Sequence, residues 1–570
     1  MSSDSARTFY LTTPIYYVNG APHLGSAYTT IVADTLARTM RMDGRDTFFL
    51  TGLDEHGQKV AQAASEAGLK PQDWVDSMAQ EFKRIWAELG ITYDDFIRTT
   101  EERHMTGVMQ LFSRLYESGA IYMDTYRGHY CVPDETFFTD EQLSDFAAVR
   151  MNEGLSAVDE TGAPLCPDCV RPLIYMEEEN LFFRLSDYTQ PLLDFYEQNP
   201  GFIQPDFRRN EVISFVRGGL KDLSVSRTAF DWGVPVPFAP GHISYVWIDA
   251  LINYLTGIGF GSTDPADAAL FAKYWPAQVH LIAKDIIRFH CVIWPAVLMA
   301  AGLPLPEKVF VHGYLLTKGI KMSKSRGNTM APSFLTEKFS LDGYRYFFLT
   351  DIQLGADSSV SLERILQVYN ADLANSWGNL CSRVFNMTEK YLDGQVPELW
   401  EKTVAALTRE MNNPLADIAE GLYEPYIQAI QEMDFTAAFA HVMGLVDRAN
   451  LYLEESAPWA LARAATEEAA AAEAAGISLD QATAPTAADR LAFVLYNSLE
   501  AIRIIALYFA PVMPGSSCEV WQRLGLDGLD TVADLRAVAQ WGKLPAGNRV
   551  VIGEPLFPRL SEADLDLDHE

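Results

Sequence analysis

Residues 8–17, TFYLTTPIYY, collect β-branched and aromatic side chains in the manner of a strand, and the loop VNGAPHLG follows them. In SAYTTIVADTLARTMRM, Tyr28, Ile31, Val32, Leu36 and Met40 recur at helical spacing. Gly44 closes that helix, and RDTFFLTGLDEHG opens as a second strand. The pattern predicts a strand–helix–strand unit with HLG at the helix N-terminus and Asp54 at the end of the second strand. In a parallel α/β sheet both positions fall at the carboxyl edge, where ligands bind.

Short polar segments then interrupt this pattern over residues 123–185, which hold Cys131, Cys166 and Cys169. An α/β character returns in ISYVWIDALINYL (243–255) and VHLIAKDIIRFHCVIWPAVL (279–298), and KVFVHGYLL reads as a further strand. The middle segment is thus an insertion that splits one nucleotide-binding fold into two halves. Beyond about residue 360 the pattern is helical. Trp377, Leu380, Val384, Met387 and Tyr391 step by 3, 4, 3 and 4, and similar stripes recur in MDFTAAFAHVMGLVDRANLYLEE and RLAFVLYNSLEAIRIIALYF. The alanine-rich stretch between those two predicts a helix extension and a mobile loop, and the acidic tail SEADLDLDHE a frayed end.

Composition narrows the class. The 570 residues suffice for several domains; 48% are hydrophobic and 21% charged, as in a globular protein. No apolar run reaches the ~18 residues of a spanning helix, and the best candidate, VIWPAVLMAAGLPLP, is broken by prolines. The N-terminal MSSDSARTFYLTTP lacks a basic region followed by an apolar core, and six scattered cysteines make no disulfide framework. A cytoplasmic protein without a membrane partner is expected. The net charge of -32 speaks for solubility and, taken alone, against nucleic acid as a partner.

One stretch runs against that charge. HGYLLTKGIKMSKSRGN gathers Lys318, Lys321, Lys324 and Arg326, with no acid between Glu307 and Glu337. Cations on a loop after a strand suit a polyanionic ligand, although a solvated lysine-rich turn would look the same. HLG, at a helix start, offers free backbone N–H groups to an anion. There His23 can donate to a phosphate oxygen, and Gly25 lets a nucleotide approach the backbone. Three residues recur by chance, so the order and placement of both elements carry the argument.

Together, His23-Leu24-Gly25-Ser26 and Lys321-Met322-Ser323-Lys324-Ser325 resemble the two signatures of the class I aminoacyl-tRNA synthetases. The blocks TTPIYYVNGAPHLG, TGLDEHG, YVWIDALINY, KDIIRFHCVIWPA, HGYLLTKGIKMSKSRGN and NADLANSWGNLCSR resemble the methionyl-tRNA synthetase family in particular, up to PLFPRL at 555–560. The resemblance implies an α/β Rossmann-type catalytic domain split by a small insertion, followed by an all-α helical-bundle anticodon-binding domain. The expected boundaries are 1–122 and 231–330 for the catalytic halves and 123–230 for the insertion with its zinc knuckle. A linking stem-contact region is expected at 331–365, the anticodon-binding domain at 366–545 and a tail at 546–570.

The implied reaction joins methionine to ATP, releases pyrophosphate and passes the methionyl group to the terminal adenosine of tRNA(Met), initiator and elongator alike. His23, Gly25, Ser26, Asp285, Lys321, Ser323 and Lys324 are implied at ATP, with Mg2+ on the phosphates; His23, Lys321 and Lys324 are the catalytic set. Ser26 stands where the family usually has a second histidine; a hydroxyl can donate to phosphate but cannot carry positive charge. The methionine pocket is implied at Ile15, Tyr17, Asp54, Trp247, Ala250, Tyr254, His290 and Trp294. The residue types agree: aromatic walls suit a polarisable thioether, and Asp54 can pair with the substrate ammonium. Trp247, Ala250 and Tyr254 sit at i, i+3, i+7 and His290 with Trp294 at i, i+4, so each set can face one cavity.

Cys166-Pro167-Asp168-Cys169 is half of a zinc knuckle, and the family often supplies a second CxxC. Here Cys131 is followed by Asp134 where the fourth cysteine would stand, and two readings stay open: a Cys₃Asp site for structural Zn2+, and a knuckle folded without metal. Cys291, Cys381 and Cys518 lie in apolar patterns and are expected in the core. Asn379, Arg383 and Trp459 match the family's anticodon positions, where an indole could stack on an unpaired base. Three rivals remain: another class I synthetase, a small-molecule nucleotidylyltransferase, and a non-catalytic tRNA-binding relative. Residues 123–230 leave little room for a large editing insertion, and the chain's end soon after the helical part predicts a monomer.

Overall fold

The computed structural model describes residues 8–132, 136–228, 230–317, 320–321, 332–399, 401–411, 413–479 and 484–565. The chain divides into two compact units. The first takes its described residues from 1–22 and 47–312, and the second from 23–46 and 313–570.

The first unit is built on a six-stranded sheet. Its strands are β1 (Thr8–Tyr17), β2 (Asp46–Asp54), β3 (Asp95–Arg98), β4 (Ile203–Gln204), β5 (Val279–Ala283) and β6 (Val309–His312), in the order β3-β2-β1-β5-β6-β4. The pairs β2/β3, β1/β5, β5/β6 and β6/β4 are parallel. Phe9 through Pro14 are all buried, as in a strand covered on both faces, which is why β1 reads as a nearly unbroken apolar and threonine run. The core takes Tyr10, Leu50 and Ile97 from the sheet and Tyr254, Cys291 and Trp294 from the elements around it.

The insertion is more regular than its polar sequence suggests. Ile121–Cys131 and Ile174–Phe183 pair antiparallel from Ile121↔Phe183 to Tyr130↔Ile174, flanked by Thr136–Phe138 and Leu223–Ser224. Most of the polar residues on this long ladder face solvent, which hid it from a hydrophobicity pattern. KVFVHGYLL is not one strand but two: it breaks at Gly313 between β6 and Leu315–Thr317, which joins a separate three-stranded sheet. A Cβ at Gly313 would lie 2.1 Å from the Ala356 carbonyl oxygen, so only glycine lets these backbones meet.

In the second unit the helix Leu24–Met42 packs with the helix Pro332–Thr350, where Tyr28 and Phe348 rings approach to 5.6 Å. The predicted stripe from Trp377 to Tyr391 crosses a junction between a π-helical stretch, Tyr369–Gly378, and the α-helix Asn379–Leu392. Within the α-helix the buried face runs through Leu380, Cys381, Val384, Phe385 and Thr388, and Met387 and Tyr391 stand half-buried at its edge. Ala487–Phe509 is long and apolar enough to cross a membrane, contrary to the sequence reading, but 89% of its apolar window is buried inside the protein: it is a core helix. The alanine-rich helix Pro458–Ala475 ends at left-handed Gly476 (φ 68°), a standard stop. Residues 480–483 of the expected loop lie outside the described residues.

Candidate active site

At the carboxyl edge of β5 the chain enters a 3-10 turn, Lys284–Ile286, then a π-helical turn, Phe289–Ile293, before the α-helix Trp294–Ala300. His290 and Trp294 are both buried here, spaced by a widened turn rather than a regular helical one. The His290 Nδ1 lies 3.0 Å from the Ile286 carbonyl oxygen, which can only accept, so Nδ1 carries the proton. Nε2 is then the acceptor for the Tyr254 hydroxyl at 2.6 Å. Burial lowers the His290 pKa to about 4, against smaller opposing effects of the Ile286 carbonyl and Asp285, so the ring is neutral at pH 7.

Tyr254 belongs to the helix Val246–Thr256, and its ring stands 6.0 Å from Trp294 in edge-on contact. Trp247, two wall positions earlier on that helix, stacks on Phe289 at 4.3 Å. The Trp247 indole N–H is buried and has no hydrogen-bond partner among the described residues. Ile15, Tyr17 and Trp247 pack, half-buried, against the core that contains Tyr254 and Trp294, while Ala250 and Asp54 are buried. Asp54 closes β2, and its carbonyl accepts from the Val18 N–H just beyond β1 at 3.4 Å. Asp285 is exposed in the 3-10 turn.

A buried group in the same unit escaped the sequence reading. Asp249 accepts from His56 Nδ1 at 2.6 Å and His104 Nε2 at 2.8 Å, with all three side chains essentially closed to solvent. Burial opposes ionisation of Asp249, but the two imidazoles more than offset it and hold its pKa below the usual value. This joins the loop after Asp54 to the helix that carries Trp247, Ala250 and Tyr254. The Trp232 indole, donating to the Glu55 carbonyl at 2.7 Å, holds the loop from a third side. His56 and Asp249 both fall within the blocks DEHG and WIDA, but 193 residues separate them and no spacing rule links them.

In the second unit, His23 is the N-cap of the helix Leu24–Met42. Its Nδ1 accepts from the Gly25 and Ser26 backbone N–H groups at 3.0 and 3.3 Å. Those two N–H groups are therefore engaged by the cap, not free as expected from the motif. Since Nδ1 accepts, the neutral ring carries its proton on Nε2. Ser26 completes the capping box: its hydroxyl accepts from the His23 N–H at 3.0 Å and donates to the His23 carbonyl at 2.8 Å. A Cβ at Gly25 would lie 3.0 Å from His23 Cε1, so a larger residue there would make the folded-back imidazole give way by a few tenths of an ångström.

The Lys321 backbone pairs with Leu316 in a two-residue strand. Ser323 and Lys324, the side chain of Lys321, and Asp134 lie outside the described residues. Asn379 is exposed, and Arg383 donates to Glu454 at 2.6 Å, bridging two helices. Trp459 is 42% exposed beside Pro458, at the start of its helix.

In the insertion, one ligand atom each from Cys131, Cys166 and Cys169 lies within 4.8 Å of the other two. The Asp168 N–H donates to Cys166 Sγ at 3.3 Å and the Val170 N–H to the Cys166 carbonyl at 3.0 Å, a turn that puts one backbone donor on the sulfur. Three convergent sulfurs fit a tetrahedral zinc ion that takes one further ligand. Of the three cysteines expected in the core, Cys291 and Cys381 are buried, but Cys518 is exposed on its helix.

A family model for "tRNA synthetases class I (M)" matches residues 9–385. The methionine–tRNA ligase of Thermotoga maritima is 43% identical over 556 residues, covering 98% of this chain and 81% of its own. That of Streptomyces coelicolor is 43% identical over 565 residues, covering 98% and 97%. Among solved structures, Mycobacterium tuberculosis methionyl-tRNA synthetase in complex with methionyl-adenylate superposes with a TM-score of 0.84 at 41% identity, covering 97% of this chain and all of that one. The α/β sheet with its helical C-terminal region and these matches define a class I aminoacyl-tRNA synthetase. Within that class, the chain belongs to the methionine–tRNA ligase family.

Proposed function

We propose that this chain activates methionine with ATP to methionyl-adenylate and pyrophosphate, and transfers the methionyl group to the 2′-hydroxyl of the terminal adenosine of tRNA(Met), initiator and elongator. The observation that carries the reading is the buried cluster of Tyr254, His290 and Trp294, an apolar, neutral, aromatic wall suited to a thioether. Tyr17, Ile15, Trp247 and Ala250 complete the pocket, and the Asp54 carboxylate receives the ammonium. The methionine carboxylate attacks the α-phosphorus, the bond to the bridging oxygen breaks, and pyrophosphate leaves with the electron pair. Negative charge grows on the phosphates, so cations and N–H donors aimed at them lower the barrier. His23 supplies its Nε2–H, Lys321 and Lys324 supply charge, and Gly25, Ser26, Asp285 and Ser323 frame the nucleotide. Mg2+ bound to the triphosphate would neutralise part of its charge.

Residues 366–545 serve as the anticodon-binding domain, with Asn379, Arg383 and Trp459 at the bases, and 331–365 as the stem contact. In the insertion, Cys131, Cys166 and Cys169 hold a structural zinc with Asp134 as the fourth ligand.

The test is ATP–pyrophosphate exchange with methionine, leucine, isoleucine, valine and cysteine, for the wild type and Lys324→Ala. Exchange that needs methionine and is lost in the variant is the expected result. Binding of tRNA(Met) without exchange for any amino acid would instead favour a non-catalytic relative, marked by Ser26.

A further inference from the structure

Behind the aromatic wall stands a histidine that no motif singles out. The register of β1 and β5 sets Thr12 beside His280, and both are fully buried. Thr12 Oγ1 lies 2.7 Å from His280 Nδ1. On the other edge of the ring, Trp294 Nε1 donates to His280 Nε2 at 3.3 Å. The Tyr254 ring lies over the imidazole face at 4.3 Å between centroids.

An indole N–H can only donate, so Nε2 must accept, and the neutral ring carries its proton on Nδ1, which donates to Thr12. Burial, and after it the neighbouring His290, hold the His280 pKa well below the ordinary value, in keeping with a neutral ring. A proton on Nε2 would face the indole N–H and force Trp294 to turn. The tautomer is thus set by the Trp294 indole, and Thr12 on the adjacent strand supplies the acceptor that the Nδ1 proton needs.

We propose that His280 is a positioning residue for the methionine pocket: Thr12 accepts from its Nδ1–H and holds the ring in place, and His280 in turn fixes the orientations of Trp294 and Tyr254 that bound the substrate side chain. The inference rests on the assignment of this pocket to methionine. Thr12 and His280 lie behind the wall and act on substrate only through the two aromatic rings.

Thr12→Val keeps the volume but removes the acceptor for Nδ1–H, and Thr12→Ser keeps the hydroxyl. In ATP–pyrophosphate exchange, Thr12→Val is expected to raise the KM for methionine about 5- to 150-fold, the range for a buried polar group left unpaired, while the KM for ATP moves less than about twofold. Thr12→Ser restores the methionine KM to within about threefold of wild type. A role confined to folding would not produce this split or this rescue. In protein carrying ¹⁵N-labelled histidine, His280 is expected to give the nitrogen signature of a neutral Nδ1–H ring at pH 7. An Nε2–H or imidazolium signature overturns the proposal, as does a methionine KM in Thr12→Val equal to that of wild type. Wild-type protein assayed alongside separates the two readings: without methionine-dependent exchange the pocket assignment fails, whereas the nitrogen spectrum still decides the tautomer.

Discussion

Arg345 Nη2 lies 2.6 Å from Asp34 Oδ2, and neither side chain reaches solvent. The same guanidinium donates to the Val512 and Pro511 carbonyls at 2.9 and 3.0 Å, and Arg38 Nε reaches the same Asp34 oxygen at 2.7 Å. One carboxylate thus ties the helix that His23 caps to the helix Pro332–Thr350, and through Arg345 to the turn after Phe509. A buried ion pair adds little net stability over apolar packing, but losing one member strands the other charge. Arg345→Met is expected to cost about 3–5 kcal/mol in urea unfolding, and the double variant Asp34→Leu/Arg345→Met to recover part of it. Costs that simply add in the double variant would show that the two residues are not coupled.

His290 makes stability depend on mildly acid pH. Its ordinary value of 6.5 falls to about 4 in the folded chain because burial penalises the imidazolium. Between those values the unfolded chain binds a proton that the folded one does not. Stability is therefore unaffected by this group above pH 6.5 and declines as pH falls toward 4, by roughly 3 kcal/mol in all. His280, depressed for the same reason, adds to the same decline. Denaturant unfolding of His290→Gln at pH 7, 5.5 and 4.5 is expected to show a shallower slope than wild type. Parallel slopes would mean that His290 is not protonated on unfolding in this range.

The strands and helices around the site were legible because each reports on its own neighbours: the buried run of β1, the 3.6-residue period of Leu24–Met42, the glycine after it. What could not be read was any relation set by the sheet. Thr12 and His280 are 268 residues apart and meet only because β1 pairs with β5 in one register. His56, His104 and Asp249 come from three separate segments, and each alone looks like an ordinary polar residue beside a motif. Ser26 adds a local relation that its motif did not announce: its hydroxyl serves the His23 cap, because a serine at the third helical position can reach back to the cap backbone.

The cysteine cluster predicts a metal. On the proposed ligand set, purified protein is expected to carry about one zinc per chain by mass spectrometry of the metal, and Cys166→Ser to lose it. Asp134→Ala should weaken retention against a chelator, and Asp134→Cys should strengthen it, since a fourth thiolate binds zinc more tightly than a carboxylate oxygen in such sites. Metal-free protein whose insertion resists proteolysis as well as the zinc-loaded form would show that the knuckle folds without an ion.

Trp459 offers the sharpest test of the helical region. Its indole is 42% exposed at the start of Pro458–Ala475, where a buried role would have closed it to solvent. The backbone that sets it there is strained: Ala457 adopts φ 45° and ψ 58°, linking the end of one helix to the start of the next. On the reading that this ring stacks on an anticodon base, Trp459→Ala removes about 1–3 kcal/mol of binding, or roughly 5- to 150-fold in the KM for tRNA(Met). Trp459→Phe keeps a stacking face and should recover most of that loss. ATP–pyrophosphate exchange, which needs no tRNA, separates this effect from damage to the catalytic unit. Arg383→Ala gives a second view of the same surface: it frees Glu454 from its 2.6 Å ion pair and leaves an acid where the tRNA backbone would approach. Its effect should therefore grow as salt is lowered, because repulsion is screened less. Charging kinetics for Trp459→Ala indistinguishable from wild type would remove the helical region's exposed indole from the tRNA interface.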